Sequence, residues 1–268
     1  MVNDKGTMQC KYTIVVNGIE VHYRTVGRGK PLLIVHGGGS KGGIDWLDNA
    51  SALAESYTVY VPDLPGYGDT PPLEGSYFIP EFTNFLEQFV HAVGIDRFHL
   101  MGHSLGGGIA LSYALKFPQR ITKLVLVNSL CLGKEIALWV RVLSNPKMVY
   151  FSGRGLLWLF RIAKRIATAL LLAPLKFAVP VTPTNIMIGC YITSIKEQTT
   201  VFLHRLSELV MPTLVVWGAK DPVVPHRQAY AAARIIPDCH VKVFEGSRHS
   251  VYREKLTEFT YLLNGFLG

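Results

Sequence analysis

Apolar and polar residues alternate from Tyr12 to Val16, break at Asn17-Gly18 and resume from Glu20 to Val26. A two-residue period is that of a strand, and Asn-Gly between two such runs signals a hairpin. Further along, the apolar runs become continuous. Leu32–Val35, Tyr57–Val61, Phe98–Met101, Lys123–Val127, Thr213–Trp217 and Val241–Phe244 read as strands, and the continuous ones as strands buried on both faces. Between them, Asp45–Ser56, Pro80–Val93, Ile109–Leu115 and Arg227–Ile236 have helical patterns, and Tyr252–Leu267 forms a last amphipathic helix. Strands alternating with helices predict an α/β protein with a mostly parallel sheet and helices on both faces. The rhythm stops near Ser129 and resumes at Pro212. The chain is therefore expected to hold a core of residues 1–129 and 210–268, with a helical insertion over 130–209.

Composition narrows the class. The 268 residues are 49% hydrophobic, enough for one large core. The polar N-terminus lacks the apolar segment of a signal peptide, and no run of about 18 uncharged apolar residues suggests a spanning helix. Cys10, Cys131, Cys190 and Cys239 are far apart in sequence, so reduced thiols in a cytoplasmic protein are expected. The net charge of +8 is unevenly spread: Leu138–Asn185 has seven basic residues and no acidic one. These basic residues are interleaved with long aliphatics and no nucleic-acid motif accompanies them, so nucleic acid is not the expected partner. Arg154–Leu172 reads as a cap helix with an apolar face over the pocket and a solvated basic face. The competing reading is an interfacial helix touching anionic lipid, with Trp158 at the boundary. Either one implies an apolar acyl group in the pocket.

The candidate chemistry sits after the Phe98 strand. Gly102-His-Ser104-Leu-Gly106 lies on a turn from strand to helix. Glycines at both ends remove the Cβ atoms that would collide in so sharp a turn. The Ser104 hydroxyl is then held at a helix N-terminus, where the dipole favours negative charge. A serine hydroxyl needs a base, usually histidine, and the histidine an orienting carboxylate. In a parallel sheet such groups gather at the carboxyl ends of strands. Asp221, in the loop after Trp217, and His249, in the loop after Phe244, are the one pair in which both residues are so placed. Asp238 and His240 fall in the turn leading into a strand, and His226 opens a helix. His22, His91, His99 and His204 sit within strand or helix patterns, and His103 is expected to point away from Ser104. For the oxyanion, the Leu105 N–H is one expected donor. The run His36-Gly37-Gly38-Gly39 supplies another, Gly38 before Gly39. No closely spaced His, Cys or carboxylate set calls for a metal, and no organic cofactor is implied.

These pieces, together with the Asp63–Thr70 loop and Trp217-Gly-Ala-Lys-Asp221, resemble the α/β-hydrolase superfamily over nearly all of the chain outside the insertion. The resemblance implies an α/β-hydrolase fold with an eight-stranded, mostly parallel sheet, a Ser104–Asp221–His249 triad, and a cap over the site. Haloalkane dehalogenases and epoxide hydrolases of this fold use an aspartate nucleophile, unlike Ser104. Carbon–carbon bond hydrolases share the glycine run but carry Asn before the serine and Trp after the histidine, where this chain has His103 and Ser250. Hydroxynitrile lyases carry Lys after the histidine. A serine hydrolase that cleaves carboxylic esters with an apolar or aromatic acyl group, through an acyl-enzyme on Ser104, is the leading expectation. Carbon–carbon or lactone hydrolysis by the same triad, and a slow-turnover ligand-binding protein, are the alternatives.

Overall fold

The computed structural model describes residues 10–39, 41–143, 188–189, 191–194 and 197–268. Eight strands form one sheet: β1 Cys10–Val16, β2 Ile19–Val26, β3 Lys30–Val35, β4 Tyr57–Pro62, β5 Phe98–His103, β6 Ile121–Val127, β7 Thr213–Gly218 and β8 Cys239–Phe244. Their order is β1-β2-β4-β3-β5-β6-β7-β8. β1 and β2 form an antiparallel hairpin, β2 joins β4 antiparallel, and the remaining pairs are parallel. At the hairpin turn Asn17 and Gly18 have φ of 49° and 78°. Positive φ at both central residues is the type I′ geometry that matches the twist of the flanking strands.

The continuous apolar runs follow from burial on both faces. In β3, Leu33 and Val35 join one core layer, while Leu32 and Ile34 join the other. In β7, Val215 and Trp217 face the first layer, and Leu214 and Val216 the second. The first layer is covered by α2 (Ile79–Ala92), α3 (Leu105–Lys116) and α5 (Arg227–Ala233). The second is covered by α1 (Leu47–Leu53), α6 (Val251–Glu254) and α7 (Leu256–Leu267). Helix α4 is Leu138–Leu143. On α7, Phe259, Leu263 and Leu267 are fully buried at a spacing of four residues. Each such side chain contributes about 2 kcal/mol of transfer free energy.

Several expected boundaries shift; the helix expected over Asp45–Ser56, for one, is a 3-10 turn, Gly43–Trp46, followed by α1, which ends at Leu53. The C-terminal helix is two helices, because Lys255 leaves helical geometry at φ −132° and ψ 43°. Helix α5 ends at Ala233 instead of Ile236. His240 is a residue of β8 itself, not of the turn before it. The basic stretch 154–172 expected in the cap lies outside the described residues. Among the described residues no helix is long and apolar enough to cross a membrane.

The topology decides where chemistry can gather. From β3 the chain moves one way to β4, then crosses back to β5 and continues the other way to β8. The loops after β3 and β5 therefore diverge at a switch point, which opens a crevice at the strand ends.

Candidate active site

Ser104 links β5 to α3 with φ 53° and ψ −116°, a region that L side chains rarely occupy. Its neighbours make that conformation feasible. A Cβ on Gly102 would lie 2.2 Å from the Gly106 carbonyl oxygen, and one on Gly106 would lie 2.2 Å from that of Val35. The strained residue is then pinned through its backbone. Its N–H donates to the Val127 carbonyl at 3.0 Å, and its own carbonyl accepts from Gly108 and Leu130.

The three side chains expected from the sequence come together. Ser104 Oγ lies 2.9 Å from His249 Nε2, and His249 Nδ1 lies 2.8 Å from Asp221 Oδ2. Because the carboxylate faces Nδ1, that nitrogen carries the proton and Nε2 accepts from the serine hydroxyl. Asp221 divides its two oxygens between two roles. Oδ1 accepts from the Val223 and Val224 N–H groups at 2.8 and 3.1 Å, the turn chemistry typical of Asp-Pro. Oδ2 faces His249 and also accepts from Asn128 Nδ2 at 2.7 Å. Burial pushes the Asp221 carboxyl up, but the His249 charge and these hydrogen bonds outweigh it and hold the carboxyl below its ordinary value.

The Asp221 and His249 loops are joined to one another. Lys220 N–H donates to the Ser247 carbonyl at 2.8 Å, and Ala219 N–H to that of Phe244 at 3.0 Å. A Cβ on Gly218 would be only 2.0 Å from the Arg248 carbonyl oxygen, so glycine is needed for this close approach.

Beside Ser104, backbone donors stand open. Among the described residues neither the Leu105 nor the Gly38 N–H has a hydrogen-bond acceptor. Gly38 is exposed and lies against Leu105: a Cβ there would be 3.4 Å from Leu105 Cδ2. Gly39 follows at φ 99°. The glycine loop is held from below by His36 and Asp63. His36 Nε2 accepts from Leu64 N–H, which leaves Nδ1–H to donate to the Gly37 carbonyl, both at 2.9 Å. Burial lowers the His36 pKa and keeps the ring neutral. Asp63 is fully buried, paired with Arg24 at 3.1 Å, and accepts from Gly43 N–H at 2.5 Å.

Two contributors escape a reading of the sequence. Asn128, the residue after β6, is fully buried with φ 45° and points at Asp221. Its signal is a polar residue at the carboxyl end of a buried strand, but its partner is 93 residues away. His103 forms no hydrogen bond to Ser104, as expected, yet it is not idle. Its Nε2–H donates to the His249 carbonyl at 2.8 Å, and its ring packs 4.9 Å from both the His249 and Tyr252 rings. Tyr252 in turn stacks on Trp46 at 3.9 Å. A separate cleft of about 570 Å³, lined by Lys134, Glu135, Glu197 and Arg227 among others, reaches Asp221 from the other side without Ser104 or His249 in its walls.

A family model described as the alpha/beta hydrolase fold matches residues 30–171 and 189–256. The chain is 32% identical over 265 residues to the dihydrolipoyllysine-residue acetyltransferase component of the acetoin cleaving system of Cupriavidus necator, covering 94% of this chain and 68% of that protein. It is 26% identical over 268 residues to the 2-hydroxy-6-oxo-2,4-heptadienoate hydrolase of Pseudomonas putida, covering 95% of each. The crystal structure of the 2-hydroxy-6-oxo-6-phenylhexa-2,4-dienoate hydrolase of a Rhodococcus species superposes with a TM-score of 0.75 at 19% identity, covering 98% of this chain and all of that one. An eight-stranded sheet of this order, a strained serine between β5 and α3, and a match across most of the sequence place the chain in one family: it belongs to the α/β hydrolases.

Proposed function

We propose that this protein is a serine hydrolase that cleaves carboxylic esters with an apolar or aromatic acyl group through an acyl-enzyme on Ser104. The observation that carries the reading is the unbroken relay from Asp221 Oδ2 to His249 to Ser104 Oγ, at 2.8 and 2.9 Å, beside the loop and turn that hold the open Leu105 and Gly38 N–H groups. His249 Nε2 takes the Ser104 proton as Oγ bonds to the acyl carbon. Leu105 and Gly38 donate to the oxygen that gains the negative charge. His249 returns the proton to the leaving alcohol as the ester C–O bond breaks. It then takes a proton from water, which attacks the acyl carbon and releases the acid from Ser104. Asp221 keeps Nδ1 protonated and stabilises the imidazolium.

Carbon–carbon hydrolysis is the second reading, and one observation favours it. The Pseudomonas putida relative spans 95% of both chains and is a hydrolase of a 2-hydroxy-6-oxo-dienoate. Against it stand His103, which precedes the serine and supports the His249 loop, and Ser250 after the histidine.

Both readings meet in one experiment. A nitrophenyl ester series of increasing acyl length and a 2-hydroxy-6-oxo-dienoate are assayed side by side, with Ser104→Ala as control. The ester reading expects multiple turnover that peaks at one acyl length and falls about 10⁴-fold or more in the variant. Turnover of the dienoate with inert esters supports the second reading. Wild type and variant equally inert on both classes would overturn both.

A further inference from the structure

We propose that the Tyr67 hydroxyl is a third donor to the oxyanion formed beside Leu105 and Gly38. This deepens the Ser104 reading and rests on it. Tyr67 is 4% exposed, yet among the described residues its hydroxyl has no hydrogen-bond partner. The ring is buried while the hydroxyl tip keeps solvent access, so its O–H is free to donate to a ligand atom in the pocket. Its position points to one such atom. A Cβ on Gly38 would lie 3.3 Å from Tyr67 Oη and 3.4–3.5 Å from Leu105 side-chain atoms. The hydroxyl thus borders the same small volume as the two residues whose N–H groups are open.

The loop around Tyr67 is built to hold it still. Gly66 and Gly68 flank it at φ 82° and 56°. A Cβ on Gly68 would strike the Asp63 carboxylate at 2.3 Å, so the loop closes tightly over that buried group. Tyr67 N–H donates to the Leu64 carbonyl at 2.9 Å, and Thr70 N–H returns a bond to the Tyr67 carbonyl at 3.1 Å. The ring meets His36 edge-on at 5.1 Å. One side chain therefore touches both the histidine that sets the glycine loop and the space that loop encloses. Burial also drives the phenol pKa well above its ordinary value, so the hydroxyl keeps its proton and can donate throughout the neutral range. A donor fixed in advance costs no reorganisation when charge develops.

The test is Tyr67→Phe, which removes one oxygen and keeps the ring. Ser104 phosphonylation by a fluorophosphonate is the first readout: the Oγ–P bond forms, fluoride leaves, and the phosphoryl oxygen occupies the oxyanion position. The expected result is labelling about 10- to 100-fold slower than wild type at unchanged Tm, with ester kcat falling in step and KM little changed. Rapid wild-type labelling matched within twofold by Tyr67→Phe would overturn the third donor and leave the Ser104 reading standing. A wild type that is not labelled would remove the Ser104 reading itself. If Tyr67→Phe lowers Tm, fluorotyrosine at position 67 replaces it. That residue preserves the shape and donates more strongly, so faster labelling supports the proposal and an unchanged rate overturns it.

Discussion

The Ser104 side and the Asp221–His249 side of this site are built from different materials. Around β3 and β5 the working groups are backbone: the Ser104 turn, the Leu105 and Gly38 N–H groups, and glycines on which an added Cβ would fall 2.2 Å from a carbonyl oxygen. Around β6, β7 and β8 they are side chains: Asp221, Asn128 and His249, held by hydrogen bonds of 2.7–2.8 Å. A backbone-built half is over-determined by sterics and tolerates almost no added atom. A side-chain-built half tolerates isosteric change and fails in its chemistry instead.

One pair of variants breaks the comparison if it is wrong. Asp221→Asn keeps the shape of the acid and removes its charge. Asparagine also donates an N–H where the imidazole needs an acceptor, so the wrong tautomer is favoured. Activity on the best substrate falls about 10⁴-fold while Tm holds within a few degrees. Gly106→Ala adds one methyl group between α3 and the Val35 and His36 carbonyls. It costs at least about 3 kcal/mol, a fall in Tm near 10 °C, before any chemistry is tested. Calorimetry and steady-state kinetics on both proteins decide the matter. An Asp221→Asn protein that unfolds, or a Gly106→Ala protein of wild-type stability, would erase the distinction.

The same contrast explains what the sequence reveals. A backbone that must bend sharply demands glycine at fixed short spacing, so Gly102, Gly106 and the run after His36 are visible in a single chain. Strands buried on both faces are visible as continuous apolar runs, and Ser104, Asp221 and His249 follow from the loops after them. Side-chain support is different. Asn128 serves Asp221 across 93 residues and His103 serves His249 across 146, and no local pattern records either pairing. Lys255 shows a smaller version of the problem. The apolar spacing runs through the break between α6 and α7, because both helices bury their apolar residues in the same core layer.

Asn128 offers a way to sharpen the comparison. At φ 45° it occupies a conformation that favours glycine or asparagine. Asn128→Gly therefore preserves the backbone and deletes the amide, which donates to Asp221 Oδ2 at 2.7 Å and more weakly to the Arg248 carbonyl at 3.4 Å. One charge-assisted donor fewer leaves Asp221 less firmly held and raises its carboxyl toward the ordinary range. The expected loss in kcat is about tenfold, and the acid limb of the rate profile moves to higher pH. Full activity with an unshifted acid limb would reduce Asn128 to a packing residue.

His103 is where the two halves meet: it comes from β5 on the Ser104 side and donates to the carbonyl of His249 on the other. Burial, then the neighbouring His249 charge, lowers its pKa from 6.5 to about 3. Asp221 and His36 also face it, the first opposing that shift and the second adding to it. The unfolded chain therefore binds a proton at this position before the folded one does. The stability linked to His103 is fully present above pH 6.5 and is lost as pH falls toward 3, by up to about 1.4 kcal/mol per pH unit. Replacing it with a group that donates but does not titrate should flatten that slope while retaining the bond between the halves. His103→Gln is the variant, and urea unfolding at pH 7, 6 and 5 is the measurement. The expected result is a stability loss between pH 6 and 5 smaller than wild type by about 1 kcal/mol, set against a modest loss at pH 7 from poorer packing beside Tyr252. Parallel slopes in the two proteins would mean that the protonation of His103 is coupled to some other adjustment of the His249 loop. The joint between the halves would then be mobile where the structure makes it rigid.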